Sequence, residues 1–210
     1  YRASDELISL YKKYESEGVV DLRNTAFLEP SSRYCPGFFF VRKSPDLSTK
    51  SGLAKVYDAC LIRSAEVYLN KAEAQAMLDQ SEAINTIKVL MNNRYKDGII
   101  PVIDGLNGKA LVDFIREERR RELCLEGHRW FDLRRYGVCE KYPDSKRLTH
   151  NYTYYDNGAS TQMIETHVFT LEPNDAAYIL PIPQEVLDFN TGMVNNERPW
   201  REYTVTTPKD

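Results

Sequence analysis

The stretch RRRELCLEGHRWFDLRRYG, Arg119 to Gly137, gathers six arginines, two glutamates, a histidine, a tryptophan and an aspartate into nineteen residues, with Glu118 just before it. Such residue types can do acid–base, metal or ion-pair chemistry, and their spacing decides between these. On a helix, Leu111, Ile115, Glu118, Glu122 and Leu125 follow one another at steps of four, three, four and three, so two carboxylates interrupt an apolar face. A carboxyl pair for glycoside hydrolysis must flank the scissile bond at roughly 5–9.5 Å, with one member protonated. Glu118 and Glu122 instead lie side by side on one helix, among arginines that keep both ionised. A metal site would draw on Glu122, Glu126, His128 and Asp132. No second histidine or cysteine pair supports it, and His150 and His167 stand in unrelated contexts.

The structural reading is the strongest. A helix that buries glutamates must supply partners for them, because an unpaired buried carboxylate is strongly destabilising. The planar fork of arginine binds a carboxylate through two parallel hydrogen bonds and keeps its charge. The expected network joins Glu118 and Glu122 to Arg63, Arg119 and Arg129, and fixes how helices dock around a bend at Gly127. Trp130, Phe131 and Leu133 then pack as ordinary core residues.

The elements that position this segment are mainly helical. Residues 4–17 predict a short helix capped by Ser4, with Leu7, Leu10, Tyr11 and Tyr14 on one face. Residues 18–57 read as irregular surface loop around a short strand, Gly37 to Val41. Leu61, Ala65, Tyr68, Leu69, Ala72 and Ala76 form a helical stripe, and Ala83, Ile84, Ile87, Val89, Leu90 and Met91 a second, with Ser81 as N-cap. These two helices make a hairpin over about 61–95, a pair like that of tetratricopeptide repeats. Further helices span about 109–126 and 128–136, stopped by Gly127 and Gly137. Residues 138–210 predict a tyrosine-rich loop, short strands at THVFTLEP and AYILPIP, a last helical turn at PQEVLDFN and an aperiodic tail. The fold class is therefore mainly α: a helical scaffold with tetratricopeptide-like pairs, long irregular loops and a few short strands.

A formal net charge of -3 gives no general attraction to nucleic acid or anionic membrane, so neither is an expected partner. Cys35, Cys60, Cys124 and Cys139 show no metal spacing, and buried free thiols are their default state. No metal or other cofactor is expected. The chain opens YRASDEL without methionine, signal peptide or spanning segment, which reads as a processed product or fragment with any targeting signal upstream.

Three segments in order, LIRSAEVYLNKAEAQAM, REERRRELCLEGHRWFDLRRYG and AYILPIPQEVLDFNTGMVNN, resemble the C-terminal half of the SusD/RagB family. Arg63, Ala65, Glu66, Leu69, Ala72, Glu73 and Ala74 match its first motif, and Glu118 to Arg135 its second. Leu180 to Pro183 match L-P-I-P, and Asp21-Leu22-Arg23 resembles D-P-R. Asn190 and Asn195 fall on N-P-G-x-x-Q-N, with Thr191 for the proline and Asn195 for the glutamine. The resemblance covers residues 20 to 200 and takes all 210 residues as the C-terminal part of one such domain. It implies an outer-membrane, surface-exposed lipoprotein of Bacteroidetes that captures nutrients. Such a protein is not an enzyme, binds oligosaccharides or in some members peptides, and works with a TonB-dependent, SusC-like transporter. The lipidated N-terminal cysteine, its only link to the membrane, would lie upstream of Tyr1. The quoted motifs are scaffold rather than ligand site.

Sugar sites combine aromatic rings with amide and charged groups. Fourteen tyrosines make that composition available, and two loops concentrate it: Arg33 to Phe38, and Asn151 to Asn157. The candidates are Tyr34, Tyr154 and Tyr155. In an alternating strand, Tyr152 and Tyr154 would share a face and Tyr155 would oppose them. Packing of these rings onto helices, in a pure interaction scaffold without a small-molecule site, is the competing reading.

Overall fold

Ser4 opens the first helix, α1 (Asp5–Lys12), by accepting a hydrogen bond from the Leu7 N–H at 3.3 Å. Leu7 and Tyr11 are buried, in one cluster with Ala3, Leu28 and Cys124. A computed structural model describes residues 3–30, 39–41, 63–156, 163–196 and 198–207. The chain forms two units, Tyr1–Arg129 and Trp130–Asp210.

In the first unit, α1 is followed by α2 (Arg23–Phe27) and by β1 (Leu28–Pro30), which pairs antiparallel with β2 (Phe39–Val41). Asp21 bridges to Tyr95, and both Asp21 and Arg23 are buried. The expected loop over 18–57 thus holds ordered, buried structure at its start. Its polar text concealed this, because the buried groups are themselves charged.

The helix pair consists of α3 (Ser64–Met77) and α4 (Glu82–Met91), joined by a short turn in which Asp79 takes a positive φ. The expected stripe buries Ala65, Leu69, Ala72 and Ala76 on α3, and Ala83, Ile87, Leu90 and Met91 on α4. Tyr68 faces outward despite its spacing. Ser81 sits at the cap position but its hydroxyl caps no backbone N–H, because its backbone is already helical. The helix α5 (Gly108–Glu122) also packs on α3. Small residues at these contacts let the backbones approach closely. Ala72→Leu, at a position with no exposed surface, is therefore expected to cost about 1–3 kcal/mol by overpacking, read as a lower denaturation midpoint.

The helix α5 stops one turn short of the expected end. Leu123 to Gly127 form turns, with Leu125 at φ 65° and Gly127 at φ 83°. Leu125 is consequently exposed rather than on the buried stripe.

The second unit begins inside α6 (His128–Gly137), which buries Leu133 and Tyr136. Phe131 is two-thirds exposed rather than core, and Trp130 is half-buried on Tyr178, with ring centroids 4.9 Å apart. The supposed tyrosine loop is a strand, β3 (Leu148–Tyr155), paired with β4 (Met163–Leu171). The supposedly aperiodic tail supplies β5 (Tyr203–Thr206), so the sheet runs β3-β4-β5, all antiparallel. The helix α7 (Gln184–Phe189) lies between β4 and β5 where helix was expected. The expected AYILPIP strand is a 3-10 turn at Ala176–Tyr178 and an extended run. Pro181 and Pro183 lack the N–H a ladder needs. Side-chain amides take the partner's place: Asn195 accepts from the Ile182 N–H at 2.8 Å, and Asn196 donates to the Leu180 carbonyl at 2.8 Å.

Candidate functional site

The charged residues of α5 meet their partners inside the first unit. Glu118 Oε2 accepts from Arg121 Nε and Nη2, at 3.0 and 2.8 Å, and from the Tyr95 hydroxyl at 3.1 Å. Its Oε1 lies 2.7 Å from Arg23 Nη1, an ionic contact outside hydrogen-bond geometry. Arg23 also forks onto Asp21, at 2.9 and 2.7 Å, and reaches Glu122 at 3.1 Å. Glu122 further accepts from Arg94 at 2.8 and 3.0 Å and from Arg63 at 2.7 Å. Arg63 grips both oxygens of Glu126 and the Glu122 carbonyl, satisfying one backbone acceptor at the end of α5.

Four carboxylates, of Asp21, Glu118, Glu122 and Glu126, thus face four guanidiniums, of Arg23, Arg63, Arg94 and Arg121. Burial pushes the carboxyls of Glu118 and Glu122 up, but the arginines outweigh it. Arg23 and Arg121 hold Glu118 at about 2, and Arg94, Arg63 and Arg23 hold Glu122 at about 2. Neither can serve as a proton donor near neutral pH. The would-be metal ligands are also taken: Glu122 and Glu126 by Arg63, and Asp132 by Arg135 at 2.9 Å. His128 Nδ1 lies 3.7 Å from Glu66. Among the described residues no group of three His, Cys, Asp or Glu could hold a metal ion.

Of the residues expected in the network, Arg63 pairs with Glu122, and Arg23 joins Glu122 to Glu118. Arg119 turns to α3, donating to Asn70 at 2.8 Å and standing 3.9 Å from Glu66. Arg129 stands half-buried in the first turn of α6. Arg121 is one of the arginines that spacing sets around the two glutamates, whereas Arg23, Arg94 and Tyr95 are partners that spacing did not indicate. The pairing of Asp21 with Arg23 was the one available signal, and it appeared as motif rather than as buried charge.

The second unit presents a different surface. Register places Tyr152 opposite His167, Tyr154 opposite Glu165, and Tyr203 opposite Phe169, so these side chains share one face of the sheet. Tyr152 meets Tyr154 edge-on with centroids 4.9 Å apart, and Tyr154 lies 4.8 Å from His167. His167 stacks on Tyr203 at 4.2 Å and 15°, and Tyr203 lies 5.2 Å from Phe169. His167 Nε2 is 2.8 Å from Glu165 Oε1. Tyr152, Tyr154 and Tyr203 remain 52, 41 and 42% exposed. His150, set opposite Phe169, falls on the same face, so the two histidines that looked unrelated share a sheet surface.

The other face carries threonines, with Thr153 and Thr166 hydroxyls 3.0 Å apart. Tyr155 alternates onto that face, beside a register shift between Tyr154 and Tyr155, and is exposed. The sheet thus separates Tyr154 from Tyr155, and Tyr34 lies outside the described residues. Arg201 anchors the entry to β5 by forking onto Asp175 at 2.9 and 2.6 Å. Arg201, with the Ala177 N–H, holds the Asp175 carboxyl down at about 2. A cavity of about 190 Å3 beside Gly137, Ser145 and Asn174 is smaller than the roughly 300–1,000 Å3 of small-molecule pockets. The open aromatic face is the better candidate surface.

Residues 9–200 match the model of the SusD family. A SusD-like protein of Formosa agariphila is 43% identical over 79 residues, which are 35% of this chain and 16% of that protein. The crystal structure of a SusD-like carbohydrate-binding protein from Bacteroides vulgatus superposes with a TM-score of 0.55 at 22% identity. The match covers 88% of this chain and 39% of that one, and likeness at this identity bears on the fold alone. The chain thus spans well under half the length of both relatives.

Proposed function

The chain belongs to the SusD family, and from that premise we propose that it is part of a non-catalytic, surface-exposed outer-membrane lipoprotein that binds oligosaccharides and passes them to a TonB-dependent, SusC-like transporter. In this reading the membrane link is a lipid on an N-terminal cysteine, as the family resemblance implies; among the described residues no helix is long and apolar enough to cross a membrane. The observation that carries the reading is the exposed aromatic face around Tyr152 and Tyr154. Rings with open surface and hydroxyl edges suit the C–H patches and hydroxyls of a sugar. The Bacteroides vulgatus relative is itself described as carbohydrate-binding. The buried charges of α5 support the non-catalytic reading, because each carboxylate is already neutralised by arginine.

A ligand that binds only the folded chain raises its stability by RT ln(1 + [L]/Kd), about 2.7 kcal/mol at a hundredfold excess over Kd. A thermal-shift panel of oligosaccharides is expected to give at least one stabilising glycan that the chain does not cleave. Tyr154→Ala is expected to reduce that shift. Stabilisation by peptides alone would replace the glycan by a peptide ligand, and cleavage of the glycan would refute the non-catalytic role.

A further inference from the structure

Resting on the oligosaccharide reading, we propose that the aromatic face of the β3-β4-β5 sheet is one continuous strip for a neutral glycan, with Tyr203 and the Glu165–His167 pair as binding residues alongside Tyr152 and Tyr154. The strip crosses all three strands. Tyr152 and Tyr154 stand on β3, Glu165 and His167 on β4, and Tyr203 on β5. Neighbouring strands lie roughly 4.8 Å apart, so three strands carry the rings over about 10 Å, the span of two or more pyranoses. Each ring is braced by the next at 4.2 to 4.9 Å, from Tyr152 through Tyr154 and His167 to Tyr203. The tyrosines are thereby ordered before a ligand arrives, which lowers the entropic cost of binding.

Charge selects the class of sugar. Glu165 supplies a partly exposed carboxylate, its Oε1 2.8 Å from His167 Nε2, and no lysine or arginine occupies this face of the three strands. Arg201, two residues before Tyr203, is committed to Asp175. A carboxylate can accept hydrogen bonds from sugar hydroxyls, but it repels a uronate or sulfate that has no cation to meet.

The test is calorimetry on the whole chain with cellohexaose, mannohexaose and hexagalacturonate at low salt. At least one neutral hexaose is expected to bind at least tenfold tighter than hexagalacturonate, and its affinity is expected to fall as the glycan is shortened to a disaccharide. Tyr203→Ala is expected to weaken that neutral hexaose about fivefold to tenfold. Tyr203→Phe, which keeps the ring, should lose less, and circular dichroism checks that both variants fold. Glu165→Gln is expected to narrow the gap between neutral and acidic glycans. If neutral hexaoses bind and Tyr203→Ala leaves their affinity unchanged, the strip is overturned while oligosaccharide binding stands. Hexagalacturonate binding the wild-type chain as tightly as any neutral hexaose overturns the charge selection. If a folded chain binds none of the three, and no other glycan stabilises it, both the strip and the oligosaccharide reading fall.

Discussion

Glu118→Ala is expected to destabilise the first unit by about 3–5 kcal/mol, the range for removing one partner from a buried charge pair. The substitution strips Arg121 and Arg23 of an anion while both stay buried, and leaves the Tyr95 hydroxyl without its acceptor. Glu122→Ala removes contacts with three arginines against two for Glu118, yet Arg63 and Arg94 keep about a quarter of their side-chain surface in water. Solvent can take up the arginines that Glu122 leaves, so its loss is expected to cost less. Urea denaturation at neutral pH measures both variants. The readout is helical circular dichroism, because Trp130 and Trp200 both belong to the second unit. Equal costs, or a larger cost for Glu122→Ala, would contradict burial as the deciding factor.

Acid is expected to undo the same network in a defined window. Both carboxyls titrate at about 2 in the folded chain, against an ordinary value of 4.5. As pH falls, the unfolded chain takes up protons before the folded one, so folding stability falls with it. The contribution is complete above about pH 5 and is lost progressively toward pH 2. A depression of this size corresponds to roughly 3 kcal/mol per group, and the two are not additive because Arg23 touches both. Urea midpoints at pH 6, 4 and 3 are expected to fall steeply at the two lower values. A midpoint flat from pH 6 to 3 would show that the arginines do not hold these carboxyls down. Added salt should change the loss little, because buried pairs are poorly screened.

The sequence made the helices legible where burial follows the helical period. The alanine stripe of α3 and the apolar face of α4 lie where spacing put them, and Ser4 caps α1 as its type suggested. Spacing found the buried Glu118 and Glu122 on the α5 stripe, but not Arg23 and Arg94, partners that lie outside α5. Arg23 lay in what looked like surface loop, because a buried arginine and an exposed one read alike until the partner across the fold is known. The sheet was partly hidden for another reason. On β3 nearly every residue remains exposed to some degree, so the polar–apolar alternation that marks a half-buried strand is weak in NYTYY. β5 is four residues long and exposed throughout, and its place depends on β4, more than thirty residues earlier. The candidate face was legible as tyrosine content on β3. Its extension over His167 and Tyr203 follows from strand register, which one strand's sequence does not contain.

The partners of the buried arginines also bear on the order in which the first unit assembles. Arg23 meets Glu122 across 99 residues, and the Tyr11 hydroxyl donates to the Arg121 carbonyl across 110. The pair of α3 and α4, by contrast, closes through a turn of a few residues. Closing a long loop costs chain entropy before any contact rewards it. The helix pair is therefore expected to form early, with α1 and α2 docking later against α5. During synthesis the segment carrying α1 and α2 is expected to stay undocked until about a hundred further residues, through Glu122, have been added.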